Sequence, residues 1–305
     1  MNRREFLRDV MFWSAGLSIS IPRLSIAEVF AATPPSPYLA IEKGVDYIKL
    51  VEQVLASLGG MNKYVRPGDR VVIKPNIGWD RSPEQAANTN PVVVKALVEH
   101  ALEAGAAKVL VFDRTCNEKR RCYKNSGIED ALKSLKNRKV RHEHIDNRKF
   151  IPVEIKRGKA LTRMEIYRDA LEADSYINVP VAKHHSLSTL TLGLKNSMGV
   201  IGGNRGQMHH NLGQKLADLA TVIQPTLTII DATKILLRNG PQGGNVKDVK
   251  RTDTILASTD PVAADAYATT LFGLKPTDIK STVAAYQLGL GEMDIEKMQI
   301  LSSTV

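Results

Sequence analysis

Cysteine is nearly absent from this sequence: 305 residues contain only Cys116 and Cys122. Two thiols exclude a four-cysteine iron–sulfur cluster held by this chain alone. Their close spacing leaves a local disulfide open in an oxidising compartment, because sequence does not show whether two Cβ atoms meet. The glycine-rich phosphate loops are missing too. No G-x-G-x-x-G follows a strand pattern and no G-x-x-x-x-G-K-[ST] occurs, so a standard dinucleotide or nucleoside triphosphate site is not expected. Long apolar runs are also lacking. The best, residues 10–21, covers about half of the roughly 20 residues a membrane-spanning helix needs and is diluted by Ser14, Gly16, Ser18 and Ser20.

That short run belongs to a recognisable leader. Asn2-Arg3-Arg4-Glu5-Phe6-Leu7-Arg8 precedes it, and small residues follow up to Ala27 or Ala32. This is the layout of a twin-arginine signal peptide. The expectation is a signal over 1–32, engagement of the Tat export machinery, and a periplasmic or otherwise extracytoplasmic protein with no stable membrane span after cleavage. Residues 33–305 then form a single domain behind a Pro-rich lead-in at 33–37, long enough for a sizeable core.

The net charge is +10, with 24% charged and 43% hydrophobic residues. The basic residues are scattered, and an exported protein seldom meets a genome, so nucleic acid is not expected; a basic rim that attracts an anionic small molecule fits better. The densest cluster, Arg114, Lys119, Arg120, Arg121 and Lys124, reads as a solvated loop.

Periodicity gives an alternating pattern. Helices are expected over 46–58, 91–104, 128–135, 165–173, 187–200, 212–223, 262–272 and 281–288, and strands over 70–75, 108–112, 139–143, 175–180, 226–231, 254–257 and 298–301. Asn90 and Pro91 supply an N-cap and a first helical residue. Strand, loop, helix and strand from 70 to 112 form a right-handed parallel crossover unit. The fold class is α/β, a mostly parallel sheet flanked by helices, with room for a small inserted helical subdomain over roughly 185–215.

In open parallel sheets ligands sit beyond the carboxyl ends of the strands. The residues there are polar: Lys74 and Asn76, Asp113 and Arg114, Lys183, His184 and His185, Asp231 and Lys234, then Asp260. Asp260 before Pro261 is equally a natural N-cap. The helix start at Thr89-Asn90-Pro91 offers free amides and a helix dipole to an anion such as phosphate or carboxylate. His184, His185, His209 and His210 carry the donor type for a transition metal, although neither adjacent pair has an HxxxH spacing. A histidine beside Lys183 or Lys195 also suits proton transfer near neutral pH.

Several spaced motifs resemble one family. They are Val72-Ile73-Lys74-Pro75-Asn76, Asn178-Val179-Pro180-Val181-Ala182-Lys183-His184, Gly193-Leu194-Lys195-Asn196-Ser197-Met198-Gly199, Gly240-Pro241, and Asp260-Pro261-Val262-Ala263-Ala264-Asp265. Together, from about residue 70 to about 290, they look like the DUF362 family. Many of its members carry a ferredoxin-like iron–sulfur module beside this domain; this chain lacks the cysteines, so an electron-transfer role would need a redox partner protein. A shorter similarity is to the amino-terminal domain of the lactate racemase family, which binds a nickel-pincer nucleotide, and it implies a phosphate-bearing ligand at Asn76 and 89–91.

The expected site thus comprises Lys183, His184 and Lys195 as catalytic residues, Lys74, Asn76, Thr89, Asn90, Asp113, Asn196 and Asp231 as cofactor-binding residues, and the four histidines as metal ligands. The cofactor is left unnamed, since a metal and a phosphate-bearing group both suit these residues. Two functions remain open: a cofactor-dependent enzyme or redox accessory, and a non-catalytic binding protein for an anionic small molecule or metal. A hydrogen-bonding lysine and amide cluster would stabilise developing negative charge in the former.

Overall fold

The structure, a computed structural model, describes residues 38–304. The leader, with Arg3, Arg4 and the apolar run, lies outside the described residues. The strands are β1 (Tyr38–Lys43), β2 (Arg70–Pro75), β3 (Lys108–Val111), β4 (Val140–His142), β5 (Phe150–Glu154), β6 (Arg163–Tyr167), β7 (Ser175–Val179), β8 (Val181–His185), β9 (Thr189–Thr191), β10 (Leu227–Leu236), β11 (Val249–Ser258) and β12 (Gln299–Thr304). The helices are α1 (Tyr47–Ser57), α2 (Pro91–Glu103), α3 (Lys119–Asn125), α4 (Ile128–Ser134), α5 (Arg168–Leu171), α6 (Gly193–Asn196), α7 (Leu212–Ala220), α8 (Pro261–Thr270) and α9 (Lys280–Gln287).

Ten strands form one mixed, mostly parallel sheet in the order β12-β1-β11-β10-β7-β2-β3-β4, with β8 paired to β10 and β9 to β8; β5 and β6 make a separate antiparallel hairpin. This is the expected α/β class. Alternation along the strands sends successive side chains to opposite faces. Val71, Ile73, Val109, Val111, Ile177 and Val179 join the core under α1, α2 and α4. Val72, Leu110 and Tyr176 join the core on the other face with Phe112, Met198 and Leu216. A third cluster packs Ile230 and Leu256 against the Ala-rich α8.

Pro180 shapes the centre of the sheet. It has no N–H to donate, so the ladder of β7 stops there, and the chain resumes as β8 beside the second half of β10. Thr228 accordingly lies opposite Asn178 in β7, and Asp231 opposite Val181 in β8.

Four expectations change. The segment 165–173 is the end of β6 followed by the single turn α5, because Ile166 pairs with Ile151 across the hairpin. Residues 187–200 hold β9, the one-turn α6 and a 3-10 turn in place of a helix. Pairing of Thr191 with Lys183 holds the first part extended, and helix starts only where Asp265 accepts from the N–H groups of Gly193 and Leu194 at 2.6 and 3.0 Å. The segment 185–215 packs into the core through Met198, Val200, Ile201 and Met208, and the small additional piece of the fold is the β5–β6 hairpin. The basic stretch 119–124 is the helix α3, capped by Glu118 and anchored by buried Cys122 and Tyr123, with its basic side chains outward.

Candidate functional site

The face of β2 and β7 that carries Val72 and Tyr176 turns polar at the carboxyl ends. Two residues further on stand Lys74 and Asn178, directly opposite each other in register. Both are fully buried, so each must be paired or hydrogen-bonded. Asn196 at the end of α6 does most of this. Lys74 Nζ donates to the Asn196 carbonyl at 2.7 Å and to its Oδ1 at 2.8 Å, while Asn196 Nδ2 donates to the Lys74 carbonyl at 3.1 Å and to Asn178 Oδ1 at 2.8 Å. Asn178 Nδ2 donates in turn to the Gly193 carbonyl at 2.9 Å. On its other side Lys74 Nζ lies 2.9 Å from Asp113 Oδ1, just past β3, whose Oδ2 accepts from Ile77 N at 2.7 Å.

Further cations converge above this base. Lys183, 1% exposed, reaches from β8 and donates to Asn76 Oδ1 at 3.1 Å and to the Ala87 carbonyl. Arg205 donates to the carbonyls of Arg114 and Thr115, both at 2.7 Å, and Arg114 to those of Ile201 and Gly203 at 2.8 and 3.0 Å. The side chain of Lys195, from α6, has no hydrogen bond or ion pair among the described residues. These groups line a cleft of about 350 Å³ walled by Trp79, Met198 and Pro241, and Asp113 is the one acidic residue among its described lining. A larger hollow of about 510 Å³, between α7 and α9, adjoins it at Leu187 and His209.

The electrostatics follow from burial and crowding. Burial, with Lys195 nearby, pushes Lys183 down to about 7. Burial, with Arg205 and Lys74 nearby, pushes Lys195 down to about 8. Burial also pulls Lys74 below its ordinary range, against the opposing pull of Asp113. His185 falls to about 3 through burial and the neighbouring lysines. Its Nδ1 accepts from the N–H groups of Leu187 at 3.1 Å and Ser188 at 3.4 Å, so the neutral ring carries its proton on Nε2.

Eight of the expected site residues, Lys74, Asn76, Asp113, Lys183, His185, Lys195, Asn196 and His209, thus meet around one cleft. Others stand elsewhere. Because the pleat alternates, Lys183 and His185 share a side of β8, and the His184 ring instead accepts from Gly240 N at 3.1 Å, outside the cleft lining. Thr89, Asn90 and Asp231 form a buttress behind the cleft. Asn90 caps α2 as expected, but its backbone N–H donates to Asp231 Oδ2 at 2.7 Å, so a carboxylate of the protein already occupies the amide offered to an external anion. Thr89 Oγ1 accepts from Asn76 N at 2.8 Å and donates to the Val179 carbonyl at 2.7 Å. Asp231 lies inside β10, not past its end, and Asp260 caps α8.

His209 lines the cleft rim, its Nδ1 3.1 Å from the Gly206 carbonyl, and His210 is exposed outside that lining. Among the described residues no group of three or more His, Cys, Asp or Glu side chains is placed to hold a metal ion. Both cysteines are free thiols: Cys116 is exposed at the cleft and Cys122 buried in α3. Sequence reasoning missed Arg205 and Gly199. Arg205 comes from an irregular segment with no strand to point to it. Gly199 leaves space where a Cβ would overlap Asp113 and Lys74, and a glycine in a predicted helix gives no such warning.

Comparison with known proteins gives one family. The model of the "Domain of unknown function (DUF362)" matches residues 71–270, well over half of the chain and all of the strands that build the cleft. The chain belongs to the DUF362 family. This DUF362 protein is 30% identical over 252 residues to the "Thylakoid-associated protein sll1697" of Synechocystis sp., covering 78% of this chain and 73% of that one. Among solved structures it is similar to the lactate racemase apoprotein of Thermoanaerobacterium thermosaccharolyticum, with a TM-score of 0.46 and 11% identity over 76% of this chain; it spans 56% of the racemase chain.

Proposed function

We propose that this DUF362 protein binds, and acts on, a small molecule bearing a carboxylate or phosphate group in the Lys74–Lys183–Lys195 cleft. One observation carries the reading: the cleft's described acid, Asp113, is already paired with Lys74, while Lys183, Lys195, Arg114 and Arg205 have no carboxylate within ion-pair distance among the described residues. An entering anion would compensate that charge inside a partly desolvated space, where it counts for more than in water. Lys74 and Asn196, locked by their mutual hydrogen bonds, provide a rigid floor. Lys183, titrating near neutrality, is suited to give or take a proton.

The test is calorimetry of sulfate and of simple carboxylates with the purified protein. Stoichiometric binding that weakens at least tenfold in Lys183→Met supports the reading. Failure of both sulfate and carboxylates to bind at millimolar concentration would sink it.

Export is the companion proposal, resting on Arg3, Arg4 and the short apolar run that follows. A reporter fused behind residues 1–37 should cross the membrane in a host with working twin-arginine export. Replacing both arginines by lysine should leave it in the cytoplasm; unchanged export would count against the route.

A further inference from the structure

Three lysines approach the cleft, and they are differently engaged. Lys74 is held by Asp113 and by two oxygens of Asn196. Lys183 is held by Asn76 and the Ala87 carbonyl. Lys195 is held by nothing among the described residues, although its helix is fixed: Asp265 accepts from the first two amides of α6, and Asn196, the next residue, is locked on both its polar atoms. The backbone under Lys195 is therefore rigid while its amine is unspent. The same lining holds a second unspent group. Thr191, 3% exposed and part of the same lining, has an Oγ1 that makes no hydrogen bond to the described residues.

We propose that Lys195 is a nucleophile that forms a reversible imine with the carbonyl carbon of a small 2-oxo acid, whose carboxylate is held by the remaining cations of the cleft. This rests on the anion-binding reading and names its substrate class. An amine among other cations loses its proton more readily than one in water, and a neutral amine is the form that attacks; burial and the neighbouring Arg205 and Lys74 bring Lys195 to about 8. The same cations that depress the amine attract the carboxylate, so one arrangement serves both needs. Thr191 Oγ1 supplies a hydrogen bond that the protein itself leaves unused.

The step balances without a further reactant. The Nζ lone pair attacks the carbonyl carbon, forming the C–N bond and moving the carbonyl π pair to oxygen. One proton passes from nitrogen to that oxygen, a second comes from solvent, and water leaves to give the protonated imine. Its positive nitrogen draws electrons from the bonds of the neighbouring carbon atoms, which is the activation used in decarboxylation and in carbon–carbon bond formation.

The experiment incubates the purified full chain with pyruvate and sodium cyanoborohydride, then reads intact mass and peptide maps. The expected result is a single stoichiometric adduct on Lys195, suppressed by excess sulfate and lost in Lys195→Arg, which keeps the charge and removes the nucleophile. Labelling scattered over exposed surface lysines with Lys195 unmodified, or no labelling, overturns the proposal. If Lys195→Arg does not fold, the peptide map of the native chain and its protection by sulfate decide alone. Sulfate binding measured on the same sample separates the two readings. Binding without an adduct removes the imine and leaves the anion site standing, whereas neither binding nor adduct removes both.

Discussion

Lys74 and Asp113 form an ion pair of 2.9 Å with side chains 1% and 3% exposed, the most deeply buried pair among the described residues. It ties β2 to the residue just past β3 and fixes the floor of the cleft. A lone charge left in such a place is far costlier than the pair itself is stabilising.

Lys74→Met or Asp113→Asn should each therefore destabilise the protein by about 3–5 kcal/mol. The double variant should lose less than the sum of the two. Urea unfolding of all four proteins gives the coupling directly, and additive losses would mean that the pair does not act as a unit.

Gly199→Ala should damage the same pair by crowding. The added Cβ overlaps Asp113 Oδ1 and Lys74 Nζ, neither of which is free to move. Overpacking of this kind costs about 1–3 kcal/mol. Sulfate affinity should fall with it, and unchanged affinity and melting temperature would show that the floor can shift.

Anion affinity should depend on pH. Lys183 and Lys195, pushed to about 7 and about 8, are both charged at pH 6 and both neutral at pH 9. Sulfate keeps its charge across that range, so its affinity should fall roughly tenfold or more from pH 6 to pH 9. Lys183→Met should flatten the lower part of the curve. Calorimetry at four pH values checks this.

Stability should also carry a signature of Asp265. Burial raises its carboxyl from the usual 3.8 to about 7, against the pull of the Leu194 and Gly193 amides. A raised folded-state value favours the protonated form, so this contribution is complete below about pH 4 and declines as pH rises toward 7, by about 1.4 kcal/mol per pH unit at most. Asp265→Asn lacks that titration. The stability of the wild type relative to the variant should therefore shrink between pH 4.5 and pH 7.5, and a constant difference would contradict the shift.

Local patterns in the chain were enough for much of this architecture. β2 and β7 are short β-rich runs stopped by Pro75 and Pro180, and α2 begins with a cap and a proline at Asn90 and Pro91; signals of this kind lie within a few residues, so the sequence displays them. The placement of Lys74, Asn76, Asp113 and Lys183 near strand ends was legible for the same reason, since a strand that turns polar at its carboxyl end marks itself; Lys195 and Asn196, in the helix α6, were marked only by the motif Gly193–Gly199.

What local pattern does not carry is the partner. Residues 165–173 have helical spacing yet form β6 and one turn because Ile151 lies across from Ile166. His184 and His185 are neighbours in sequence, but the pleat of β8 sends only His185 into the cleft lining. The amide of Asn90 looked open to a ligand until Asp231, far along the chain, was found on it at 2.7 Å. The sequence by itself determined the α/β class and the residue types available to the site. Tertiary structure decided which of those charges are already paired and which remain for a ligand, because compensation of a charge depends on contacts a few ångströms long between residues a hundred positions apart.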